Sequence, residues 1–387
     1  MTLRTQILGG AGALALLAAT AGTALAEDWP DLPVGVKNGI AERIGDQLIV
    51  GLGSAGTQVF ALDLNDAAAG WQALAEFDGP APSQPATAVS NGALYVFSGS
   101  GNATADAASP IIFETVTRYD PEADSWETLD TTTPVGLLGA SAVTLSGGRI
   151  AILGGYNKEL FDKYLSEVLA IDKETDPDAW NEVVDSYMGM EPKDYRWNDM
   201  VLTYDTAANA WGDLGANPEL PNTGSAVVGT APGTFLIVNG EIKPGLRTDA
   251  VKSVTFGADA AEWSEVAPVP APEGSDVQEG LAGAYSALTD KGVLVAGGAN
   301  FLGAQAAAEA GNWYAHNGLD KHWAAEVFAL QDDAWTQVGE LPEGLAYGGS
   351  FPVDGGLLVV GGEDSERAAR TDVFLVQWDG EELAIVD

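Results

Sequence analysis

A short apolar run closing on glycine recurs six times along the 387 residues, and no other feature restricts the fold of this chain as tightly. The copies are Leu48 to Gly53 (LIVGLG), Leu94 to Gly99 (LYVFSG), Ile150 to Gly155 (IAILGG), Phe235 to Gly240 (FLIVNG), Val293 to Gly298 (VLVAGG) and Leu357 to Gly362 (LLVVGG). Each is apolar at successive positions and bounded by turn residues, which fits a strand buried on both faces. The same companions return around each copy: a short strand upstream, an aromatic strand downstream, then a tryptophan that opens a fourth strand. Examples are Tyr119-Asp120-Pro121 with Trp126, Tyr204-Asp205 with Trp211, and Phe328 with Trp335, while Trp71 and Trp263 take the same place in their copies. The sixth copy departs, since Trp378 falls too early and Leu383 occupies the position. Turns such as Ser146-Gly147-Gly148 and Asp354-Gly355-Gly356 separate the first two strands of a unit.

This order of strand, glycine pair, aromatic and tryptophan resembles the Kelch repeat. The resemblance implies an all-β fold, a six-bladed Kelch-type β-propeller in which radial repetition protects the sheet edges. The paired glycines have a physical reason, because a residue without Cβ lets the strand end turn where blades crowd the central channel. Residues 27–387 are read as a single propeller with helical insertions at about 156–199 and 299–321. In the first insertion Phe161, Tyr164, Leu165, Val168 and Leu169 have helical spacing, and Asp176-Pro177-Asp178 reads as the capped start of a second helix. Both insertions leave the repeat just after the glycine pair, so ring symmetry brings them out on one face.

The first 26 residues read as an export signal: Arg4, an apolar run from Ile7 to Ala21, and Ala24-Leu25-Ala26 as the cleavage pattern. Export and the absence of cysteine together predict a periplasmic protein whose stability rests on burial and not on disulfides. The formal charge of −39 argues against nucleic acid or an anionic membrane as partner. It also means that an anionic ligand needs a local basic group to hold it.

The position after the glycine pair is equivalent in every unit: Ser54, Ser100, Tyr156, Glu241, Ala299 and Glu363. These loops gather at one mouth of the channel, a usual place for function on a rigid scaffold. Glu241 opens the string Asn239-Gly240-Glu241-Ile242-Lys243-Pro244-Gly245-Leu246-Arg247-Thr248-Asp249-Ala250-Val251, which resembles the signature of bacterial N-acetylneuraminate epimerases, or sialic acid mutarotases. Further matching stretches are Pro33 to Gly39, Val50 to Thr57, Glu279 to Ala284, Ala296 to Phe301, Tyr314-Ala315-His316 and Gly344 to Gly348. The resemblance covers nearly the whole chain after the signal. It implies an isomerase that interconverts the anomers of free sialic acid without a cofactor or metal, and a homodimer. Glu241 is then the proton acceptor and Arg247 its companion, a guanidinium suited to capturing the sugar's carboxylate. His316 is a candidate for a second proton-transfer group, with a structural histidine as the alternative. Asn157, Tyr195, Asn198, Asn300 and Tyr347 are candidate substrate-binding residues, although such polar residues also stabilise loops.

The chain departs from the family pattern at Pro82, Ala140 and Gln305, where arginine, histidine and arginine are expected. Three rival readings are weighed. A copper-radical oxidase on a Kelch scaffold requires a cysteine, and this chain has none. A sialidase would carry Ser-x-Asp-x-Gly-x-Thr-Trp boxes, which are missing here. A propeller that binds the sugar without catalysis is the reading from another class.

Overall fold

The computed structural model describes residues 29–386, and the leader-like segment lies outside the described residues. Six four-stranded antiparallel sheets stand around a common axis. The first strands of the six units are Ile40–Ile44, Ala86–Ser90, Ser141–Thr144, Ala226–Ala231, Tyr285–Leu288 and Gly349–Val353, and these form the inner wall. Each glycine-terminated run supplies the second strand. In blade 3, Ile150 and Ile152 enter the apolar wedge shared with blade 2, whereas Ala151 and Leu153 enter the wedge shared with blade 4. Every wedge between neighbouring blades is filled in this way, so both faces of the run are buried.

The repeated tryptophans of blades 2, 3 and 5 fasten blade to blade, whereas Trp263 of blade 4 has no hydrogen-bond partner for its indole nitrogen among the described residues. Indole Nε1 of Trp126 donates to Ala75 O at 3.0 Å, that of Trp211 to Thr131 Oγ1 at 3.2 Å, and that of Trp335 to Ala267 O at 3.0 Å. Each reaches the preceding blade. For Trp71 in blade 1 the acceptor is Pro30 O at 2.8 Å, so the N-terminal segment stands in for a preceding blade. In blade 6 the fourth strand is Leu383–Val386, with Leu383 opposite Trp378, as the sequence indicated.

All four strands of every blade come from one stretch of chain, so among the described residues no exchanged strand closes the ring. Closure comes instead from a collar of backbone hydrogen bonds. Asn38, Gln84, Gly139, Gly224, Gly283 and Tyr347 each stand two residues before an innermost strand, and each has φ between 52° and 70°. Each N–H donates to the preceding collar carbonyl: Gln84 to Asn38 (2.7 Å), Gly139 to Gln84 (3.0 Å), Gly224 to Gly139 (3.0 Å), Gly283 to Gly224 (2.7 Å) and Tyr347 to Gly283 (2.7 Å). Asn38 N donating to Tyr347 O at 2.9 Å completes the circle. Beside this join the N-terminal segment bonds the last blade, with Leu32 N to Thr371 O at 2.8 Å and Gly362 N to Val36 O at 2.8 Å.

The third blade's insertion carries α1 (Lys158–Leu169), capped by Asn157, and α2 (Pro177–Met188), capped by Asp176 with proline in its first turn. The fifth blade's insertion is a short ladder, Ala299–Phe301 against Lys321–Trp323, enclosing α3 (Ala304–Glu309). The glycine pair ending the second strand meets the demand expected of it. Gly361 and Gly362 have φ of 60° and 118°, and a Cβ on Gly362 would strike the Tyr285 hydroxyl.

Candidate active site

After the fourth glycine-terminated run the chain forms a minimal hairpin, Glu241–Lys243 paired with Leu246–Arg247. Pro244 and Gly245 supply the turn, and Gly245 has φ of 80°. In this register Glu241 lies directly opposite Arg247, so the six-residue spacing sets carboxylate and guanidinium side by side. Arg247 Nη2 is 2.9 Å from Glu241 Oε1, and the two side chains are 5% and 17% exposed. Tyr156 donates its hydroxyl to Glu241 Oε2 at 2.8 Å, and Gly245 N donates to Oε1 at 3.3 Å. The hairpin is fastened to the ring by reciprocal backbone bonds between Glu241 and Thr223, at 2.8 and 3.0 Å.

The Tyr156 phenol is driven well above its ordinary pKa by burial and then by the Glu241 charge, which keeps it a proton donor. Burial works against the Arg247 cation, but Glu241 and then Tyr347 more than offset that and hold it charged. The guanidinium also lies over the Phe301 ring, 4.9 Å from its centroid.

Glu241 and Tyr156 face a small polar cleft of about 190 Å³. The collar forms its floor, with Asn38, Gln84, Gly139, Gly224 and Tyr347 among the lining residues. The opposite wall holds a second charged cluster. Glu363 accepts from Lys37 Nζ and Lys321 Nζ, each at 2.6 Å, and from Trp323 Nε1 at 3.2 Å. Burial alone would raise the Glu363 carboxyl, but the two ammonium groups bring it below the ordinary range. Among the described residues no group of three or more His, Cys, Asp or Glu is placed to hold a metal ion.

Of the residues singled out from sequence, Glu241, Arg247 and Tyr347 come together here, and the others are placed elsewhere. Arg247 packs beside Glu241 and outside the cleft lining, with Nη2 on the carboxylate and Nε and Nη1 buried without a hydrogen-bond partner among the described residues. His316 is packed against Gly245, between Phe301 and Tyr314, with ring centroids at 4.9 and 5.0 Å. Burial and the neighbouring Arg247 push its pKa down to about 4, so it is neutral near pH 7 and does not supply an acidic proton there. Asn157 spends its side-chain oxygen on Leu160 N at 3.0 Å, capping α1. Asn198 bonds Gly154 O and Met200 O, both at 3.0 Å. Tyr195 is buried and donates to Tyr187 O at 2.5 Å. Asn300 is buried, bonds Gly280 O at 3.0 Å and borders a different groove together with His322. These four do not line the cleft. Gln305, a departure from the expected pattern, donates to Arg247 O and so props the hairpin from behind.

Tyr156, Glu363 and Lys321 are among the lining residues that the sequence did not single out as substrate contacts. Tyr156 and Glu363 occupy the position after the glycine pair, a positional signal available beforehand. Lys321, at the return of an insertion, carried no signal.

A closed propeller, a collar-floored cleft and a buried carboxylate flanked by phenol and guanidinium define a small-molecule site built for proton transfer to a polar ligand. A sequence profile described as N-acetylneuraminate epimerase matches residues 29–385. The chain belongs to that family. It is 56% identical over 374 residues to the N-acetylneuraminate epimerase of Brucella melitensis biotype 1, covering 97% of this chain and 96% of that protein. Identity to the N-acetylneuraminate epimerase of Vibrio vulnificus is 49%, covering 93% of each chain. The solved structure of YjhT superposes with a TM-score of 0.85 at 32% identity, covering 92% of this chain and 99% of that one.

Proposed function

We propose that this protein interconverts the α and β anomers of free N-acetylneuraminate, with Glu241 as the base. The observation that carries the reading is the Tyr156–Glu241 pair facing the cleft, backed by Arg247, in a chain of this family. Anomers of a 2-keto sugar interchange through the open-chain ketone. Glu241 takes the proton of the C2 hydroxyl, the bond between C2 and the ring oxygen breaks, and the ring oxygen receives a proton. Tyr156 is the lining hydroxyl suited to give that proton. Transfer back across its 2.8 Å bond to Glu241 then restores both groups. Arg247 holds the carboxylate in place. Reclosure on either face of the ketone yields either anomer. Because the sugar also opens unaided in water, positioned proton transfer worth about 10²–10⁴-fold is enough. The leader-like N-terminus supports a periplasmic setting.

NMR exchange of freshly released α-anomer tests the reading. Glu241→Gln should lower the rate to that of buffer while the fold persists by circular dichroism, and Tyr156→Phe should lose about 10–100-fold. Full activity in Glu241→Gln would remove the proposed base. A protein that binds the sugar by calorimetry but does not accelerate exchange would instead be a sugar-binding propeller.

A further inference from the structure

The cleft contains more positive charge than its proton-transfer centre uses. Glu241 and Arg247 cancel, whereas Glu363 sits with two ammonium groups, a local excess of one positive charge in a chain of formal charge −39. Two of these cations do not line the cleft. Arg247 is buried with Nη2 on Glu241, and Lys37 Nζ is shared between Glu363 and Arg367 O.

Lys321 is the cation that lines the cleft, and its side chain is 18% exposed. Its Nζ is fixed by Glu363 and stands 4.4 Å from the Tyr347 ring centroid and 4.6 Å from that of Trp323. An ammonium held on three sides in this way has already lost its rotamer freedom. Binding an anion there therefore costs little further ordering. Burial lowers the Lys321 pKa, with Glu363 opposing, so an added anion relieves a desolvated charge.

We propose that Lys321 receives the carboxylate of the substrate, making it the residue that selects a sugar acid over its neutral counterpart. The assignment rests on the function proposed above for its choice of ligand. Glu363 and Lys37 act as positioning residues, holding the ammonium against the cleft wall. The task expected of Arg247 from sequence thus passes to a lysine on the fifth blade's insertion.

Calorimetry with N-acetylneuraminate and with its methyl ester tests this on the whole protein, with anomer exchange followed by NMR on the same samples. The wild type should bind the acid on the order of 10–100-fold more tightly than the ester. Lys321→Met should bind both alike, with the ester's affinity unchanged, and Lys321→Arg should recover part of the preference. Lys321→Gln, which keeps a polar partner for Glu363, serves the same comparison if methionine disturbs folding. A wild-type preference for the acid retained in Lys321→Met or Lys321→Gln overturns the assignment. Exchange that is accelerated while the preference ignores Lys321 sinks this site and leaves the activity standing. A preference that depends on Lys321 without any accelerated exchange does the reverse. A wild type that binds neither compound removes both.

Discussion

At the scale of single residues, Glu42 lies on the innermost strand of blade 1, where its bonded partner among the described residues is Thr87 Oγ1 at 2.7 Å. Burial raises its pKa from the ordinary 4.5 to about 7, the Thr87 bond pulling slightly the other way. Between those two values the native state holds a proton that the unfolded chain has released. Stability therefore falls as pH rises from 4.5 to about 7, and the loss is complete above that. His316 runs oppositely: its pKa drops from 6.5 to about 4, so stability is lost as pH falls through that window. In the wild type the two offset each other over much of the acid range. Glu42→Gln should be more stable than the wild type by about 1–3 kcal/mol at pH 8, with the gap closing below pH 4.5. Urea titrations at several pH values measure this, and a gap of the same size at pH 4 would contradict it.

Also at this scale, Glu241 and Arg247 were legible because their spacing survives in a hairpin that sets them opposite each other. His316 attracted attention for its rarity, but rarity says nothing about burial, and burial keeps it neutral. Asn157 follows a glycine pair and Asn198 precedes a strand, and there a helix cap and backbone bonds compete for the same side chains as ligands do. Lys321 was invisible because its role depends on Glu363 and Lys37, 42 and 284 positions away in the chain.

Among elements, one side chain bridges the two insertions. Lys243, on the catalytic hairpin, donates to Met188 O at the end of α2 at 2.6 Å and to Trp313 O in the fifth blade's insertion. It has no carboxylate partner among the described residues, and burial lowers its pKa to about 8. Deprotonation leaves two N–H groups for two carbonyls and removes a buried charge. The clasp therefore survives alkaline conditions, and its contribution to stability grows as pH rises from 8 towards 10.5. Lys243→Met should leave the blades folded but loosen both insertions. Hydrogen exchange in residues 177–188 and 304–319 should rise, together with a several-fold loss of activity. Unchanged exchange in both segments would show that the insertions hold themselves. The helices were readable in advance from apolar spacing and from Asp176-Pro177. The small ladders at the mouth were not, since two- and three-residue strands are too short to show a period.

For the whole molecule, each collar bond joins neighbouring blades regardless of which comes first in the chain. Trp29 and Val386 pack against the same apolar cluster, so the described ends lie together. A circular permutant that joins these ends by a flexible linker and opens between blades 3 and 4, near exposed Pro218, should fold to the same ring and keep its anomerase activity. Loss of folding would show that the order of blade formation matters as well as their contacts. Six blades could be counted from the repeat. The collar could not, because it consists of backbone groups from residues as unlike as Asn38, Tyr347 and glycine, with no side-chain pattern to find.

The collar is uniform in backbone and lopsided in side chains. Blades 6, 1 and 2 place Tyr347, Asn38 and Gln84 there despite about 1 kcal/mol of strain each, while blades 3, 4 and 5 contribute bare glycines. A socket with six identical walls would let a guest settle in any of six azimuths. Furnishing one half and leaving the other smooth fixes a single heading, so that a handed guest would find Glu241 on one flank and Lys321 on the other.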